Sequence, residues 1–210
     1  MKIQHIFVVI FLIMFGLICC SKVIVPPAID LKQHQAIGII KFNCSEPGNL
    51  DAFVTQRFIQ EITKDQKSIE IIELGSQTDV LNAVQQSAIG PDAYKAIGLK
   101  YNVKSIILGE IEISDIKPEI SIAPGFSYVG ARGIVEALLI ARMIETTNGT
   151  TVWSGSARDK REVGSISIVG GKFMFDAQDP ERAYGSLTEI LVKKITKDFK
   201  NTWYWKRKCL

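Results

Sequence analysis

Short apolar runs bounded by polar residues predict three strands in the first half of the chain. The run AIGIIKF, residues 36–42, is rich in β-branched side chains and fits a buried strand. The run SIEIIEL, residues 68–74, alternates apolar and polar side chains, as a half-buried strand does. The run SIILGEIEI, residues 105–113, is apolar at first and alternates later, which predicts a third strand.

Two longer segments place apolar side chains at helical spacing. Residues 50–64 and 180–200 each carry an apolar residue every three or four positions, so both are predicted as amphipathic helices. Pro180 suits the first position of the second helix, and Asp179 suits its cap. The first stripe consists of Leu50, Phe53, Val54, Phe58 and Ile62, and the second of Ala183, Leu187, Ile190, Leu191, Ile195 and Phe199.

Two shorter helices are predicted between the second and third strands. One covers residues 79–88, with Thr78 or Ser76 as its cap. The other covers residues 92–100, with Pro91 in its first turn. The strand–helix–strand opening of the chain favours a right-handed crossover and therefore parallel pairing of the first two strands.

The adjacent Asn148 and Gly149 predict a long antiparallel hairpin. By composition alone, residues 133–147, GIVEALLIARMIETT, are compatible with a helix or a strand. Because Asn-Gly is the strongest short hairpin signal, we expect strands over residues 135–147 and 150–158.

These elements together predict one α/β domain over residues 36–200. Its expected core is a mixed sheet with helices packed on it, and the long antiparallel hairpin lies near the C-terminal half. Two connections rich in glycine and proline or flanked by charges, residues 114–132 and 159–178, are predicted as surface loops or short hairpins.

The first nineteen residues have the layout of a signal peptide. Lys2 forms a short positive region, and residues 6–18 form an apolar run. That run is too short to span a bilayer, which takes about 20 apolar residues in a helix. A short uncleaved anchor and an ordinary signal peptide with incidental cysteines remain the alternatives.

The end of this segment resembles a bacterial lipobox, in which a leucine-rich tripeptide precedes the cysteine that receives lipid. Cys20 is the predicted acceptor, because Leu17 then lies three positions before the cleavage site and the small Cys19 lies directly before it. Ser21 matches the pattern that directs such lipoproteins to the outer membrane. Several acyl chains anchor a protein stably, whereas one chain binds only marginally. We therefore expect a cell-envelope lipoprotein on the outer membrane, facing the periplasm.

The two ends of the mature chain are predicted to lie outside the domain. Residues 20–35 are expected to form an extended, lipid-anchored tether, since Pro26 and Pro27 disfavour helix. Residues 201–210 form a basic aromatic tail.

Aromatic residues in two places are candidate interaction surfaces. One group lies in a glycine-rich loop and the other lies beside the cations of the tail, a combination that suits a membrane interface or a protein partner. The alternative is that Trp203 and Tyr204 complete the packing of the last helix. The candidates are Phe126, Tyr128, Trp203, Tyr204 and Trp205.

Composition and charge exclude a nucleic-acid partner. The chain is 47% hydrophobic and carries a net charge of +3. Removal of residues 1–19 takes away Lys2, so 24 cations face 22 anions and the net charge becomes +2. This overall balance is too small to imply a nucleic-acid partner or a polybasic membrane patch, although cations cluster at residues 206–208.

No combination of residues predicts an enzyme, a metal site or a cofactor. His34 is the only histidine after the signal peptide and is predicted as a solvated linker residue without an ordered partner. Glu110 and Glu112 share one strand face, which we expect to be solvated. Cys44 and Cys209 either pair in an oxidising compartment or remain a near-core thiol and a thiol on a frayed tail.

Three phrases resemble the CsgG-like family, which contains the curli secretion channel and small periplasmic lipoproteins. They are AIGIIKF at residues 36–42, AIGLKYNVKSIILGEI at 96–111 and LLIARMIETTNGTTVWSG at 138–155. The resemblance covers residues 35–200 and implies a non-enzymatic module that binds an unidentified envelope protein, with homo-oligomers as an option.

The channel members of that family form rings and insert two segments into the membrane as hairpins. The corresponding segments here are residues 114–132 and 159–178. A membrane-spanning strand needs about 9–11 residues, and the arms predicted here are about half that length. A ring-forming subunit of an outer-membrane secretion channel is therefore the alternative function.

Overall fold

A computed structural model describes the chain from residue 20 to residue 207 with short gaps. The described residues are 20–45, 49–66, 69–114, 117–122, 129–163, 166–169, 172–175 and 180–207.

These residues form eleven strands and four α-helices. The strands are β1 (Cys20–Val25), β2 (Ala36–Ile40), β3 (Asn43–Cys44), β4 (Glu70–Gly75), β5 (Ser105–Ile113), β6 (Lys117–Ile122), β7 (Val129–Glu145), β8 (Thr151–Val163), β9 (Ile166–Val169), β10 (Lys172–Phe175) and β11 (Thr202–Arg207). The helices are α1 (Leu50–Thr63), α2 (Gln77–Ala83), α3 (Pro91–Tyr101) and α4 (Pro180–Ile195). Two 3-10 turns cover Leu31–His34 and Thr196–Phe199.

The main sheet is mixed and has seven strands, which confirms the predicted fold class. Its order is β4-β2-β5-β7-β6, with β3 pairing β5 and β8 pairing β7. β2 is parallel to β4, as the crossover at the start of the chain predicted, and it is also parallel to β5. β7 is antiparallel to β5, β6 and β8.

β5 and β6 lie end to end along one side of β7. β5 ends with Ile113 opposite Ala137, and β6 begins with Lys117 opposite Ile134. Among the described strands, β6 pairs only with β7 and is therefore an edge strand. Pro118 suits an edge strand, because proline has no N–H to donate to a second neighbouring strand.

Helices cover the main sheet on both faces. The larger core cluster joins α1 and α4 to one face, and the smaller joins α2 and α3 to the other. β2 is buried on both sides, since Ile37 and Ile39 belong to the larger cluster and Ile40 to the smaller. A continuous apolar run is what a parallel strand covered on both faces requires. The predicted α1 stripe is confirmed by burial of Leu50, Val54, Phe58 and Ile62.

The predicted hairpin is confirmed, although its connection is longer than the two residues that Asn-Gly favours. β7 ends at Glu145 and β8 begins at Thr151. Thr146 leaves the ladder because its N–H donates to the carbonyl oxygen of Lys104 and its Oγ1 donates to that of Val103. Gly149 then adopts φ 72° and donates to the carbonyl of Glu145. Contacts to Val103 and Lys104 therefore shape this connection together with the Asn148 side chain, which accepts from the N–H of Thr150 and donates to Glu145.

Residues 20–35, predicted as an extended tether, contribute a paired strand and a buried residue. β1 pairs antiparallel with β11, so residues 20–25 and 202–207 form one small sheet. Leu31 is fully buried in the larger core cluster, within a 3-10 turn. Pro26 and Pro27 disfavour helix, but the β-branched residues 23–25 before them form a strand because a partner strand is available.

Candidate functional site

A two-stranded ribbon formed by β1 and β11 carries the predicted lipid acceptor and most of the candidate aromatic residues. The register places Cys20 opposite Arg207, Lys22 opposite Trp205, and Ile24 opposite Trp203. The remaining pairs are Ser21 with Lys206, Val23 with Tyr204 and Val25 with Thr202. Among the described strands, these two pair only with each other.

The ribbon concentrates exposed apolar surface. Of the six large hydrophobic residues that are exposed in the described part of the chain, four belong to it: Ile24, Val25, Trp203 and Tyr204. Trp203 is 55% exposed and Tyr204 is 49% exposed, so neither completes the packing of the last helix. A cluster of this kind marks an interaction site more often than single apolar residues do.

Lys22 and Trp203 form a cation–π contact on one face of the ribbon. The ammonium nitrogen of Lys22 lies 4.0 Å from the centroid of the Trp203 ring. The two residues are diagonal neighbours across the strand pair, a spacing that long and aromatic side chains can bridge. At an exposed site such a contact contributes about 0.5–1 kcal/mol.

Gln66 attaches the ribbon to the domain at its base, by which we mean residues 29–31 after β1 and residues 199–201 before β11. Its side-chain Oε1 accepts from the N–H of Leu31 at 2.8 Å, and its Nε2 donates to the carbonyls of Ile29 at 2.8 Å and Phe199 at 2.9 Å. Gln66 is buried, so one side chain satisfies three backbone groups from both chain ends. The sequence analysis missed this residue, because no sequence motif indicates that a glutamine after a helix will hydrogen-bond to distant backbone groups.

Charged groups give the base a second attachment. Asp65 accepts from the N–H of Asn201 at 3.0 Å, and Lys200 forms an ion pair with Glu61. Burial raises the pKa of Glu61, but the ammonium groups of Lys200 and Lys64 outweigh that effect and hold the pKa below its usual value. The carboxylate of Glu61 is therefore ionised at neutral pH.

Below the base lies a cluster of four aromatic rings. The Trp153 and Phe199 rings meet edge to face with centroids 4.6 Å apart, and the Phe42 and Phe58 rings lie 5.0 Å apart. The indole N–H of Trp153 donates to Asp198 at 3.1 Å. β11 therefore begins three residues after Phe199, which is fully buried in this cluster.

The prediction that His34 is a solvated residue without an ordered partner is wrong. Its Nδ1 shares a hydrogen bond of 2.8 Å with Oγ of Ser105, the first residue of β5. Burial lowers the pKa of His34, the carboxylates of Glu145 and Asp30 oppose this, and Lys104 adds to the lowering. The net pKa lies below the ordinary value, so the imidazole is neutral at pH 7.

An open groove of about 480 Å³ lies where α3 ends and the parallel strands begin. Glu70, Lys95 and Lys104 contribute charges to it, and Thr147 contributes a hydroxyl. Leu99, on the last turn of α3, lines the groove and is 86% exposed. The lining is mixed, with apolar surface beside both signs of charge, which suits a polypeptide segment better than a small ion.

Other predicted residues are placed as follows. Glu110 and Glu112 are exposed on one face of β5, as expected. Cys44 is half-buried against the larger core cluster. The backbone of Trp205 lies in β11. Residues 1–19, Phe126, Tyr128, Asp179 and Cys209 lie outside the described residues.

Two further findings concern the described ranges alone. They contain no group of three or more His, Cys, Asp and Glu side chains placed to hold a metal ion. No helix within them has the length and apolar composition that crossing a membrane requires.

Comparison with known proteins returns no family model and no curated protein that matches this chain. Solved structures that match over much of the chain do so at low similarity. The PelC dodecamer from Paraburkholderia phytofirmans has 10% identity and a TM-score of 0.43, with 86% of this chain and 96% of that chain covered. Lipoprotein GNA1162 from Neisseria meningitidis has 13% identity and a TM-score of 0.42, with 63% of this chain and 86% of that chain covered.

The LpoB C-terminal domain from Salmonella enterica has 9% identity and a TM-score of 0.39, with 64% of this chain and 84% of that chain covered. Since these identities and TM-scores are low, the function of this chain has to be inferred from its own residues.

Proposed function

We propose that this protein is a non-enzymatic, lipid-anchored module of the bacterial cell envelope that binds a protein partner on the periplasmic side of the outer membrane. The assignment to the CsgG-like family, as a small periplasmic member, is part of this proposal. Lipid on Cys20 provides the anchor, and the α/β domain provides the binding surface.

The observation that carries the anchor is the position of Cys20 in the fold. The lipobox-like residues end at Cys20, and Cys20 is also the first residue of β1. An acylated Cys20 would therefore join the membrane to the domain through a paired strand. A paired strand limits how far and in which directions the domain can move from the membrane, unlike a flexible linker.

The surface assigned to the protein partner is the groove beside α3. Leu99 at its rim is almost fully exposed, while Lys95 and Glu70 place opposite charges along it. Apolar contact surrounded by charged groups is the usual composition of a non-obligate protein interface.

Metabolic labelling with a clickable palmitate analogue tests the anchor. The native chain and a Cys19→Ser variant are expected to carry label and to sediment with outer membranes, because serine is a usual residue before the cleavage site. The Cys20→Ser variant is expected to lose the label. Unlabelled native protein in the cytosol, still beginning at Met1, would overturn the proposal.

Crosslinking in intact envelopes tests the partner surface. We expect Leu99→Asp to abolish a specific crosslinked product that Val152→Asp retains, because Val152 is exposed but does not line the groove. Size-exclusion chromatography of detergent extracts tests the alternative function. A monomer or small complex agrees with the proposal, whereas a ring of many subunits that conducts ions in bilayers would replace it with the channel function.

A further inference from the structure

The register divides the ribbon into two faces. In an antiparallel pair, residues directly opposite each other share a face, and successive residues along a strand alternate between faces. The face we call the Cys20 face therefore contains the register positions of Cys20, Lys22, Ile24, Trp203, Trp205 and Arg207. The opposite face contains those of Ser21, Val23, Val25, Thr202, Tyr204 and Lys206.

The Cys20 face is both apolar and cationic. Ile24 is 54% exposed and lies directly opposite Trp203, so the two form one exposed apolar patch. Lys22 lies over the Trp203 ring and continues the patch toward Cys20. Aromatic rings and long cationic side chains together are typical of the boundary between lipid headgroups and acyl chains.

The charge of the ribbon complements an anionic surface. Its twelve residues, CSKVIV and TWYWKR, include three cations and no carboxylate. All three lie in the half of the ribbon that contains Cys20: Lys22 and Arg207 on the Cys20 face, and Lys206 on the opposite face. Each Lys or Arg near an anionic bilayer adds to the attraction.

We propose that the Cys20 face of the ribbon lies on an anionic lipid bilayer and forms a second membrane contact beside the lipid anchor. The proposal rests on the proposed lipidation in one respect, since acyl chains on Cys20 bring this face to the bilayer. A ribbon of six residue pairs is about 20 Å long, which is enough to lay the patch and its cations along the headgroups. The contact orients the domain, because the base of the ribbon is fixed by Gln66.

Vesicle co-sedimentation with an unlipidated chain tests this contact separately from the anchor. Residues 20–210 with Cys20→Ser suit the experiment, since the buried core of the described structure lies within residues 31–199. The chain is mixed with phosphatidylcholine vesicles, with and without phosphatidylglycerol. Binding is expected to the anionic vesicles and to weaken as salt rises, because salt screens the charges.

Single substitutions on the two faces provide a matched pair. Trp203→Ala on the Cys20 face is expected to weaken binding to the anionic vesicles about tenfold, because it removes the largest apolar contact. Tyr204→Ala removes a similarly exposed aromatic ring from the opposite face and is expected to change binding by less than about twofold. Lys22→Ala should weaken it about fivefold. Circular dichroism melting confirms that each variant is folded.

Three results would overturn the proposal: no binding to anionic vesicles, equal binding to neutral ones, or equal losses from Trp203→Ala and Tyr204→Ala. Self-association in sedimentation velocity that Trp203→Ala abolishes would assign the face to a second copy of the chain and would also overturn it. Failure of the proposed anchor appears only in the palmitate labelling of the native protein, so the two proposals fail in different experiments.

Discussion

The main sheet and the β1–β11 ribbon place similar amino acids in opposite surroundings. In the sheet, Ile37 and Ile107 are fully buried between helices. In the ribbon, Ile24 and Trp203 are more than half exposed. An apolar residue in the sheet therefore stabilises the fold, whereas one in the ribbon is available to an external surface.

This difference implies that stability and binding are separable in this protein. Substitutions in the core should change the free energy of unfolding and leave vesicle binding of the folded chain intact. Substitutions on the Cys20 face should do the reverse. A two-stranded sheet alone is only marginally stable, so the ribbon depends on its attachment to the core. The five predictions below run from the largest expected change in stability to the smallest.

Phe58→Ala should have the largest effect, lowering the free energy of unfolding by about 3–5 kcal/mol. Phe58 is fully buried and its ring contacts those of Phe42, Trp153 and Phe199. Urea denaturation followed by tryptophan fluorescence measures the loss. Phe53→Ala, on the same helix but only partly buried, should cost clearly less. A loss below that of Phe53→Ala would show that the aromatic cluster does not anchor the core.

Gln66→Leu should lower the free energy of unfolding by roughly 2–4 kcal/mol, because it leaves buried backbone groups of Ile29, Leu31 and Phe199 without their partner. Gln60→Leu, at an exposed glutamine, should cost less than about 0.5 kcal/mol. Hydrogen exchange should also become faster in β1 and β11. Unchanged exchange there would contradict the role of Gln66 as the attachment of the ribbon.

Thr188→Val should raise the free energy of unfolding by about 1 kcal/mol. The Thr188 hydroxyl is buried and has no hydrogen-bond partner among the described residues, so replacing it by a methyl group removes a desolvation penalty. Thr196→Val is the matched control, since the buried hydroxyl of Thr196 donates to the carbonyl of Val192 at 2.7 Å. Thermal melting should show a gain for Thr188→Val alone; equal shifts in both variants would contradict this account.

Stability should fall slightly as the pH is lowered from about 7.5 to 5.5, because of His34. The folded protein has a lowered His34 pKa, so the unfolded chain binds the proton first and unfolding is favoured below the ordinary value of about 6.5. The contribution is fully present above that value and is lost below it. His34→Gln should flatten the pH dependence in this window. An equally steep dependence in that variant would assign it to other groups.

Trp203→Ala should change the free energy of unfolding least, by less than about 0.5 kcal/mol, while it removes most vesicle binding. Its exposure and the single cation–π contact with Lys22 leave little stability to lose. Parallel melting and co-sedimentation of one preparation measure both quantities. A destabilisation as large as that of Gln66→Leu would show that the ribbon belongs to the core, and the contrast drawn above would fail.

Local sequence patterns predicted most of the core correctly because each depends on neighbouring residues alone. Ser76 caps α2 by accepting from the N–H of Asp79. The sequence analysis had given Ser76 and Thr78 as the two candidates for this cap. Pro91 begins α3 as expected. The helix predicted over residues 79–88 is in fact Gln77–Ala83, since the residue after it turns out of the helix. The first and last residues of a helix are hard to predict from sequence, because helix ends fray and helical and turn conformations are close in energy there.

The candidate site was predicted only in part, because its geometry comes from contacts between distant residues. Trp203 and Tyr204 were identified because they are aromatic residues beside a cluster of cations. Their pairing with Ile24 and Val23 joins residues about 180 positions apart, which no local pattern predicts. His34 and Ser105 are 71 residues apart, and Gln66 and Phe199 are 133 apart. No periodicity or motif encodes such pairs.

The sequence by itself determined β2, β4, β5, β7 and β8, the helices, their mixed arrangement and the candidate lipid acceptor, because burial patterns, caps and targeting signals depend on consecutive residues. Only the tertiary structure decided that the chain ends pair, that Cys20 and Trp203 share a face, and that Gln66 ties this ribbon to the core. The physical reason is that the register of two distant strands depends on where the rest of the fold brings them together.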